Sequence, residues 1–346
     1  MKNIDKGTVI GFLYFYVHLV TEVVCFYLLT SMFSLPYLTW FIALSYDALA
    51  FVPQSLFGYY SDSHRNIPMG LIGIGFLTVS LIIFALNTKL YYLSLVTLCI
   101  GNCLTHVAGA EKTLRGTNGK AAPSATFVGG GSFGVIIGRL AAQFNVNVIL
   151  IILIILSAIP YVLFAESYAE NKSCEDFNYH NPDISKWTVV IFAFLIVIVR
   201  GYLGYAIPTT WKKTLLQNVI FYFTMGTGKV LGGFFIDWIG IRKTSFISII
   251  AAIPFLILGG NIMYLSITGV MFYSMTMSVT LVLLTSVLKN KPGLAFGITT
   301  IGLFLGTVPI FFYNISDPVI NALIIIILSI PTLYMALKIE GGKICR

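Results

Sequence analysis

Long apolar runs separated by short polar segments fill the chain. The runs reach about 18 residues or more, the length at which an α-helix crosses the hydrocarbon core of a bilayer. We find no long alternation of apolar and polar residues, which an outer-membrane β-strand would need. Because backbone groups in lipid must be satisfied within their own segment, we predict helices. The predicted spans are 8–33, 36–60, 67–86, 90–114, 122–143, 146–166, 187–209, 216–238, 245–261, 263–288, 292–313 and 318–338.

One substantial polar segment, residues 167–186, divides these twelve spans into two sets of six. We therefore expect a six-helix bundle over residues 1–166, a cytoplasmic linker over 167–186 and a second six-helix bundle over 187–346. The predicted fold class is an all-α polytopic membrane protein with twelve helices in two bundles.

Composition and charge agree with this interpretation. The chain is 58% hydrophobic and only 10% charged, which excludes an ordinary soluble domain. With a cytoplasmic N-terminus, fifteen lysines and arginines fall in cytoplasmic loops and three in the opposite loops, so both termini are expected in the cytoplasm. The net charge of +8 is therefore a topology signal, and we expect no nucleic-acid partner. The five cysteines lack metal-site spacing with histidine, so no metal centre is predicted.

A short polar motif occurs twice, each time between two apolar runs. Residues 58–66 read GYYSDSHRN and residues 233–243 read GFFIDWIGIRK, with a glycine four positions before an aspartate and basic residues after it. The two aspartates are 237 − 62 = 175 positions apart, about half of the 346 residues. Repetition at this spacing indicates two related halves in tandem.

Both motif aspartates would face the cytoplasm, where a carboxylate can accept hydrogen bonds from the free N–H groups at the start of another helix. We expect Asp62 near residues 291–292, at the start of span eleven, and Asp237 near residues 121–123, at the start of span five. Arginines would complete ion pairs that latch the halves together; the alternative is loop charges that only fix topology. The residues assigned to this cytoplasmic gate are Gly58, Asp62, Arg65, Arg115, Gly233, Asp237 and Arg242.

Charged residues also occur deep within the spans, where each costs roughly 2.5–3.5 kcal/mol on insertion scales and therefore indicates function. Glu22 lies near the middle of span one with His18 one turn before it, and Asp47 reaches a similar depth in span two. We predict that these three residues exchange protons. The alternatives are a buried structural hydrogen bond for Glu22 and an interhelical ion pair for Asp47.

Basic residues outnumber acidic ones at these depths. Arg200 lies within span seven, Lys229 within span eight and Arg139 near the outer end of span five, while His106 and Tyr202 lie at depths where they could line a cavity. A positive excess in a central cavity would favour an anionic substrate, so we assign these five residues to substrate binding. Snorkelling towards the membrane surface is the alternative for Lys229 and Arg139.

The two motifs resemble those of the major facilitator superfamily, whose members carry a glycine, aspartate and arginine loop after spans two and eight. More narrowly, residues 18–22 (HLVTE), 54–62 (QSLFGYYSD) and the glycine-rich 128–138 are similar to segments of the fosmidomycin-resistance type of exporter. His106 resembles the histidine of that group's span four. The resemblance implies two six-helix bundles, alternating access and proton coupling.

Three departures from the exporter pattern change the charge near the expected cavity. His106 is not followed by proline and glutamate, Arg139 stands where a proline commonly follows the glycines, and Asp47 occupies a position that is usually apolar. We therefore do not infer the drug specificity of those exporters for this protein.

Together these features predict a proton-coupled secondary transporter of a small organic, anionic or zwitterionic solute, with efflux favoured by the resemblance. We expect a monomer in a bacterial inner membrane whose partners are the solute, protons and lipid, with no cofactor. The alternatives are an uncoupled facilitator, a proton-coupled uptake symporter for an organic anion and a non-transporting sensor. The sequence contains no nucleophile elbow or phosphate loop that would indicate an enzyme.

Overall fold

The structure, a computed structural model, describes residues 6–35, 39–115, 117, 119–168, 184–207 and 209–312, with the isolated positions 320, 323–324, 326–327 and 334. Helices account for almost all of these residues, and no strand occurs among them. The helices are α1 (Lys6–Phe33), α2 (Thr39–Phe51), α3 (Gln54–Ser63), α4 (Met69–Leu86), α5 (Tyr91–Leu114), α6 (Ala122–Gln143), α7 (Val148–Leu156), α8 (Ile159–Tyr168), α9 (Lys186–Ala206), α10 (Leu215–Ile239), α11 (Ile241–Leu258), α12 (Met263–Val287) and α13 (Pro292–Phe312).

Eleven helical segments in the described part of the chain are long and apolar enough to cross a membrane. They correspond in order to the first eleven predicted spans, which confirms an all-α polytopic membrane protein. The twelfth predicted span, 318–338, and the linker, 167–186, lie mostly outside the described residues. The bundle boundaries at 166 and 187 therefore stay a prediction.

Two of the predicted spans are each divided into two helices. The second span consists of α2 and α3, which are separated by a turn at Val52 and Pro53. Proline has no N–H group to donate to the preceding turn, so the hydrogen-bond ladder is interrupted there. The sixth span consists of α7 and α8, with a turn at Ser157 and Ala158 just before Pro160. The spans predicted over 36–60 and 146–166 are therefore present, as Thr39–Ser63 and Val148–Ser167, each interrupted by one turn.

Small residues allow α6 to pack closely on α1 at the centre of the first half. A Cβ atom on Gly130, Gly134 or Gly138 would lie 2.4, 2.2 or 2.4 Å from a backbone oxygen of α1. No side chain fits at these positions without moving one helix away from the other. This contact fixes the relative positions of the polar side chains that α1 carries at mid-depth.

We refer to α1–α8 as the first half of the protein and to α9–α13 as the second half. The halves meet mainly where α3 packs on α13 and α6 packs on α10, and α13 also contacts α2 and α5. Motif glycines lie at both contacts: a Cβ on Gly58 would be 2.2 Å from the Gly293 oxygen, and one on Gly233 would be 2.3 Å from the Ala125 Cβ. Each repeated motif therefore begins where its helix touches the other half.

Candidate functional site

The first motif aspartate binds the N-terminus of a helix in the other half. The Asp62 carboxylate accepts hydrogen bonds from the backbone N–H groups of Gly293 and Leu294, both at 3.0 Å. These groups have no partner within α13 because they belong to its first turn, and the helix dipole adds to the attraction. The sequence predicted this partner near residues 291–292.

A buried ion-pair network supports Asp62 from within the first half. Arg115 donates to the Asp62 carboxylate at 3.1 Å and to Glu111, one helical turn earlier, at 3.0 Å. Ser61 donates to the other oxygen of Glu111 at 2.6 Å. Asp62 and Arg115 are only 8% and 4% exposed, so water screens their interaction little. The network holds the acceptor in position for the helix of the second half.

The second motif makes the same type of contact in the opposite direction. The Asp237 carboxylate accepts hydrogen bonds from the backbone N–H groups of Ala121 and Ala122, at 2.7 and 2.9 Å. These residues begin α6, as the sequence predicted. The two halves are therefore joined at one end by a reciprocal pair of carboxylate-to-helix contacts.

Two of the predicted gate arginines do not take part in ion pairs with the described carboxylates. Arg65 lies in the turn that follows the end of α3. Arg242 is exposed at the start of α11, because Gly240, with a φ of 87°, redirects the chain after α10. The ion pair predicted for Arg115 is therefore formed, whereas Arg65 and Arg242 form none with the described carboxylates.

A polar cluster lies at mid-depth in the first half, buried between α1 and α5. The carboxylate of Glu22 lies 3.3 Å from Nε2 of His106 and 3.8 Å from Nε2 of His18. Asn102 donates its amide to the same carboxylate oxygen at 3.2 Å. The side chains of Glu22, His18 and His106 are 8%, 8% and 6% exposed. We call Glu22, His18, His106 and Asn102 the polar cluster.

Backbone contacts determine which nitrogen of each imidazole carries hydrogen. Nδ1 of His18 lies 2.8 Å from the Phe127 carbonyl oxygen, and Nδ1 of His106 lies 2.9 Å from the Asn102 carbonyl oxygen. A carbonyl oxygen can only accept, so both Nδ1 atoms must be donors. In the neutral rings both Nε2 atoms then present lone pairs to the carboxylate of Glu22. Three acceptors that converge in a buried space need a shared proton or a cation between them.

The geometry of the polar cluster suits a proton better than a metal ion. The ligand atoms of His18, Glu22 and His106 all lie within 4.8 Å of one another, so they could hold a metal after contraction. Tetrahedral zinc would need them roughly 3.3 Å apart. Lys229 also interacts electrostatically with His18 and Glu22, and its positive charge opposes a second cation. A single proton at the 3.3 Å contact needs no such movement.

Sequence reasoning missed Asn102, which contacts Glu22 and two buried side chains outside the polar cluster. Besides Glu22, its amide nitrogen contacts the Tyr46 hydroxyl at 3.0 Å and the Cys25 sulfur at 3.3 Å. The spacing in the sequence could have indicated this residue, because Asn102 precedes His106 by four residues and therefore lies on the same face of the helix. A polar amide in an apolar span was overlooked because it carries no charge.

Two predicted site residues lie beside partners that the sequence did not indicate. His106, expected to bind substrate, belongs to the polar cluster with Glu22. Asp47, expected beside Glu22 and His18, lies outside that cluster and is half-buried at the boundary between the halves, where it accepts a 3.5 Å hydrogen bond from Thr307 of α13. The depths of these residues followed from sequence position, but the faces on which they lie depend on how each helix is rotated.

The basic residues of the second half have polar partners but no described carboxylate as an ion-pair partner. Arg200 is 7% exposed and donates from Nη1 to the Thr280 hydroxyl at 3.1 Å. Lys229 donates to the Ser132 hydroxyl of α6 at 2.8 Å, so this bond joins the two halves at mid-depth. The second half therefore contributes Arg200, which has no described counter-ion, and Lys229, which also interacts electrostatically with Glu22.

The remaining predicted binding residues are held by aromatic or apolar neighbours. The Arg139 guanidinium lies 5.1 Å from the ring of Phe26 and 5.2 Å from that of Tyr222, a distance at which cation–π attraction acts. Tyr202 is half-buried and packs on an apolar cluster of the second half that includes Leu203. Arg139 thus bridges α1 and α10, while Tyr202 contributes to packing within its own half.

Comparison with known proteins places this fold among transporters. No protein-family model matches the chain, and no curated protein matches its sequence. The human organic anion transporter MFSD10 is similar in structure, with a TM-score of 0.64 and 14% identity over 98% of this chain and 100% of that one. The transporter FucP in its outward conformation also has a TM-score of 0.64, with 13% identity over 96% of this chain and 99% of that one.

A structure of a variant of FucP, the fucose:proton symporter of E. coli, gives the same TM-score of 0.64, with 14% identity over 94% of this chain and 97% of that one. All of these neighbours are described as transporters and none as an enzyme. Identities this low establish the fold rather than the substrate. The protein is a multi-pass integral membrane protein with the fold of major facilitator superfamily transporters.

Proposed function

We propose that the protein is a proton-coupled secondary transporter of a small organic solute, anionic or zwitterionic, that works by alternating access. The polar cluster is the observation that carries this proposal. It places a carboxylate and two imidazole lone pairs around one buried space that a proton would fill. Keeping such groups in a membrane interior costs free energy, which a merely structural contact between apolar helices would avoid.

The position of the polar cluster supports coupling to movement of the halves. The ring of Phe296, from α13, stacks 6.3 Å from the ring of His106 and is itself buried. Phe296 lies one turn after Gly293 and Leu294, the residues that bind Asp62. Release of the Asp62 contact would therefore withdraw this ring and open the polar cluster on that side. In this proposal protonation and rocking are linked through α13.

The two aspartate motifs would act as the gate at the cytoplasmic end. Their hydrogen bonds join the halves in this structure and must break when that end opens. We propose that residues 1–166 and 187–346 form the two bundles that rock, with 167–186 as the cytoplasmic linker. In the same proposal the protein is a monomer in a bacterial inner membrane with both termini cytoplasmic.

An anionic solute is supported by the buried charge of Arg200, which has no described counter-ion, and by the positive charge of Lys229, which interacts with it electrostatically. Buried cations without counter-ions are costly, and an anionic group would remove that cost when it binds. The description of MFSD10 as an organic anion transporter points to the same class of solute. The resemblance to exporters favours efflux as the direction of transport.

Charge balance favours proton-coupled uptake of an anion as a second candidate. One proton on Glu22 and one negative charge near Arg200 together leave the net charge of the membrane interior unchanged. In an exchange of anion for proton, the two reorienting forms would differ by two buried charges. Since uncompensated charge opposes movement through a low-dielectric region, loaded and empty carriers of equal charge reorient more readily.

Flux in proteoliposomes tests the proposal. The purified protein is reconstituted with a pH-sensitive dye inside, and phenylphosphonate or the neutral benzamide is added outside under an imposed pH difference; benzoate is not used here because benzoic acid crosses lipid without a carrier. We expect an organic anion to change the internal pH in proteoliposomes but not in protein-free vesicles. Acidification of the lumen on anion entry indicates symport, alkalinisation indicates exchange, and solute flux that ignores the pH difference would contradict coupling.

A further inference from the structure

Arg200 is the most deeply buried cation in the second half, and part of its guanidinium is unsatisfied. The group is 7% exposed, and its Nη1 donates to Thr280 of α12. Its Nη2 is shielded from solvent and has no hydrogen-bond partner among the described residues. An arginine cannot lose its charge by deprotonation in a protein, so the missing partner must come from elsewhere.

A second orphaned donor lies nearby on α12. The hydroxyl of Tyr273 is also shielded from solvent and lacks a hydrogen-bond partner in the described part of the chain. Tyr273 and Arg200 are close enough to interact electrostatically. Tyr273 and Thr280 are seven residues apart, about two turns, so they lie on the same face of α12. Each of these two buried donors has capacity for a hydrogen bond that a ligand acceptor would satisfy.

We propose that Arg200, Tyr273 and Thr280 form the binding site for the anionic group of the substrate, and that this group is a carboxylate or phosphonate on a compact, uncharged apolar body. Thr280 accepts the hydrogen bond from Nη1 of the guanidinium and leaves Nη2 free to bind the ligand. The Tyr273 hydroxyl donates the second hydrogen bond. This proposal rests on the proposed function, because it names the solute class of the same transporter.

The chemistry of these donors limits the ligand. A guanidinium presents parallel N–H groups that match the two oxygens of a carboxylate or phosphonate, whereas a halide can use only one of them. A cationic ligand would be repelled by Arg200 and Lys229. Tyr273 packs against an apolar cluster of the second half that includes Leu203 and Phe221, which offers apolar and aromatic surface. An aromatic acid therefore fits the surroundings better than a polyhydroxylated sugar.

The anion site and the polar cluster belong to different halves, and Lys229 lies between them. Lys229 interacts electrostatically with both Arg200 and Glu22 while its amino group is bound to Ser132. An anion at Arg200 attracts Lys229, whereas a proton on Glu22 removes the negative charge that attracts it from the other side. The proton and the anion therefore act on one shared lysine, which links the two sites.

Binding to the purified protein in detergent tests this site without any flux measurement. Calorimetric titrations with benzoate and phenylphosphonate are compared with titrations of benzamide and benzylamine, which share the ring but are neutral and cationic. We expect the two anions to bind and the other two to bind at least about tenfold more weakly, as loss of a charge-assisted hydrogen bond requires. Failure of both anions to bind, or equal binding of all four compounds, would overturn the proposal.

Variants then locate the binding. Arg200→Lys should weaken benzoate binding about tenfold or more, because a lysine cannot form the paired contact. Tyr273→Phe removes one hydroxyl group and should weaken benzoate binding several-fold. This variant tests the site if Arg200→Lys does not fold. Tyr264→Phe is the matched control on the same helix, because Tyr264 is 73% exposed. Wild-type affinity in a folded Tyr273→Phe protein would remove that residue from the site, and wild-type affinity in both variants would overturn the proposal.

The results also separate this site from the proposed function. Arg200-dependent binding without any effect of an imposed pH difference on flux would retain the anion site and refute proton coupling. Proton-coupled flux of an anion that is unaffected by Arg200→Lys and Tyr273→Phe would retain the function and refute the site.

Discussion

Gly58→Ala should open the end of the protein at which the two motifs lie. The added Cβ would lie 2.2 Å from the Gly293 oxygen, whereas Cβ atoms essentially never approach another atom closer than 3.0 Å. Because the obstacle is backbone, α3 and α13 must separate by at least 3.0 − 2.2 = 0.8 Å. The two hydrogen bonds of Asp62 to α13 would then lengthen from 3.0 to about 3.8 Å, beyond hydrogen-bond distance.

The expected effect on the closed conformation is large. Hydrogen bonds to a charged group contribute about 1.5 kcal/mol each at the lower end of the measured range, so two would contribute about 3 kcal/mol. That loss corresponds to a change of roughly 150-fold in the ratio of closed to open molecules. If the closed and open conformations of the gate have similar free energies in the wild type, most molecules would be open after this substitution.

Electron paramagnetic resonance distances between spin labels at Ser63→Cys and Lys291→Cys would measure the opening, in a background without other reactive cysteines. We expect Gly58→Ala to replace the short distance by a longer one. Gly75→Ala is the matched control, because no atom lies within 4 Å of the added Cβ. An unchanged distance distribution in Gly58→Ala, in protein that is folded and monodisperse, would refute the role given to this contact.

Three further substitutions test separate parts of the account. Phe296→Ala should uncover His106 and let an imposed pH gradient decay faster in proteoliposomes without solute; a wild-type decay rate would contradict its role as a cover. Gly131→Ala places a Cβ 2.5 Å from Nε2 of His18, so pH-driven flux should fall several-fold, and full coupling would contradict the assigned geometry. Asp237→Asn should destabilise the closed end by roughly 1–2 kcal/mol, read from the spin-label distances, and an unchanged distribution would count against the second contact.

Features that depend on short-range pattern could be predicted from the sequence. The apolar runs determine where helices cross the membrane, and the repeated motif supplies a carboxylate at the correct end of its helix. A free carboxylate there has few possible partners other than the first turn of a neighbouring helix. The contacts of Asp62 with the start of α13 and of Asp237 with the start of α6 were predictable for this reason.

Features that depend on helix rotation could not be predicted in this way. Sequence position gives the depth of Asp47, but whether its side chain faces Glu22 or the second half is set by packing around the turn at Pro53. The same limit applies to His106, whose depth suited substrate binding but whose face turns it towards Glu22. Asn102 was missed because only its contacts with Glu22, Tyr46 and Cys25 give it a role.

Accumulation of radiolabelled phenylphosphonate, which stays charged and does not cross lipid unaided, tests the central claim most directly when it is measured in Glu22→Gln proteoliposomes beside exchange of phenylphosphonate between equal pools. The amide keeps the shape of Glu22 but cannot take up or release a proton. We predict that the variant retains exchange and loses accumulation driven by a pH difference. Accumulation at the wild-type level would contradict the claim that protonation of Glu22 couples transport to the proton gradient.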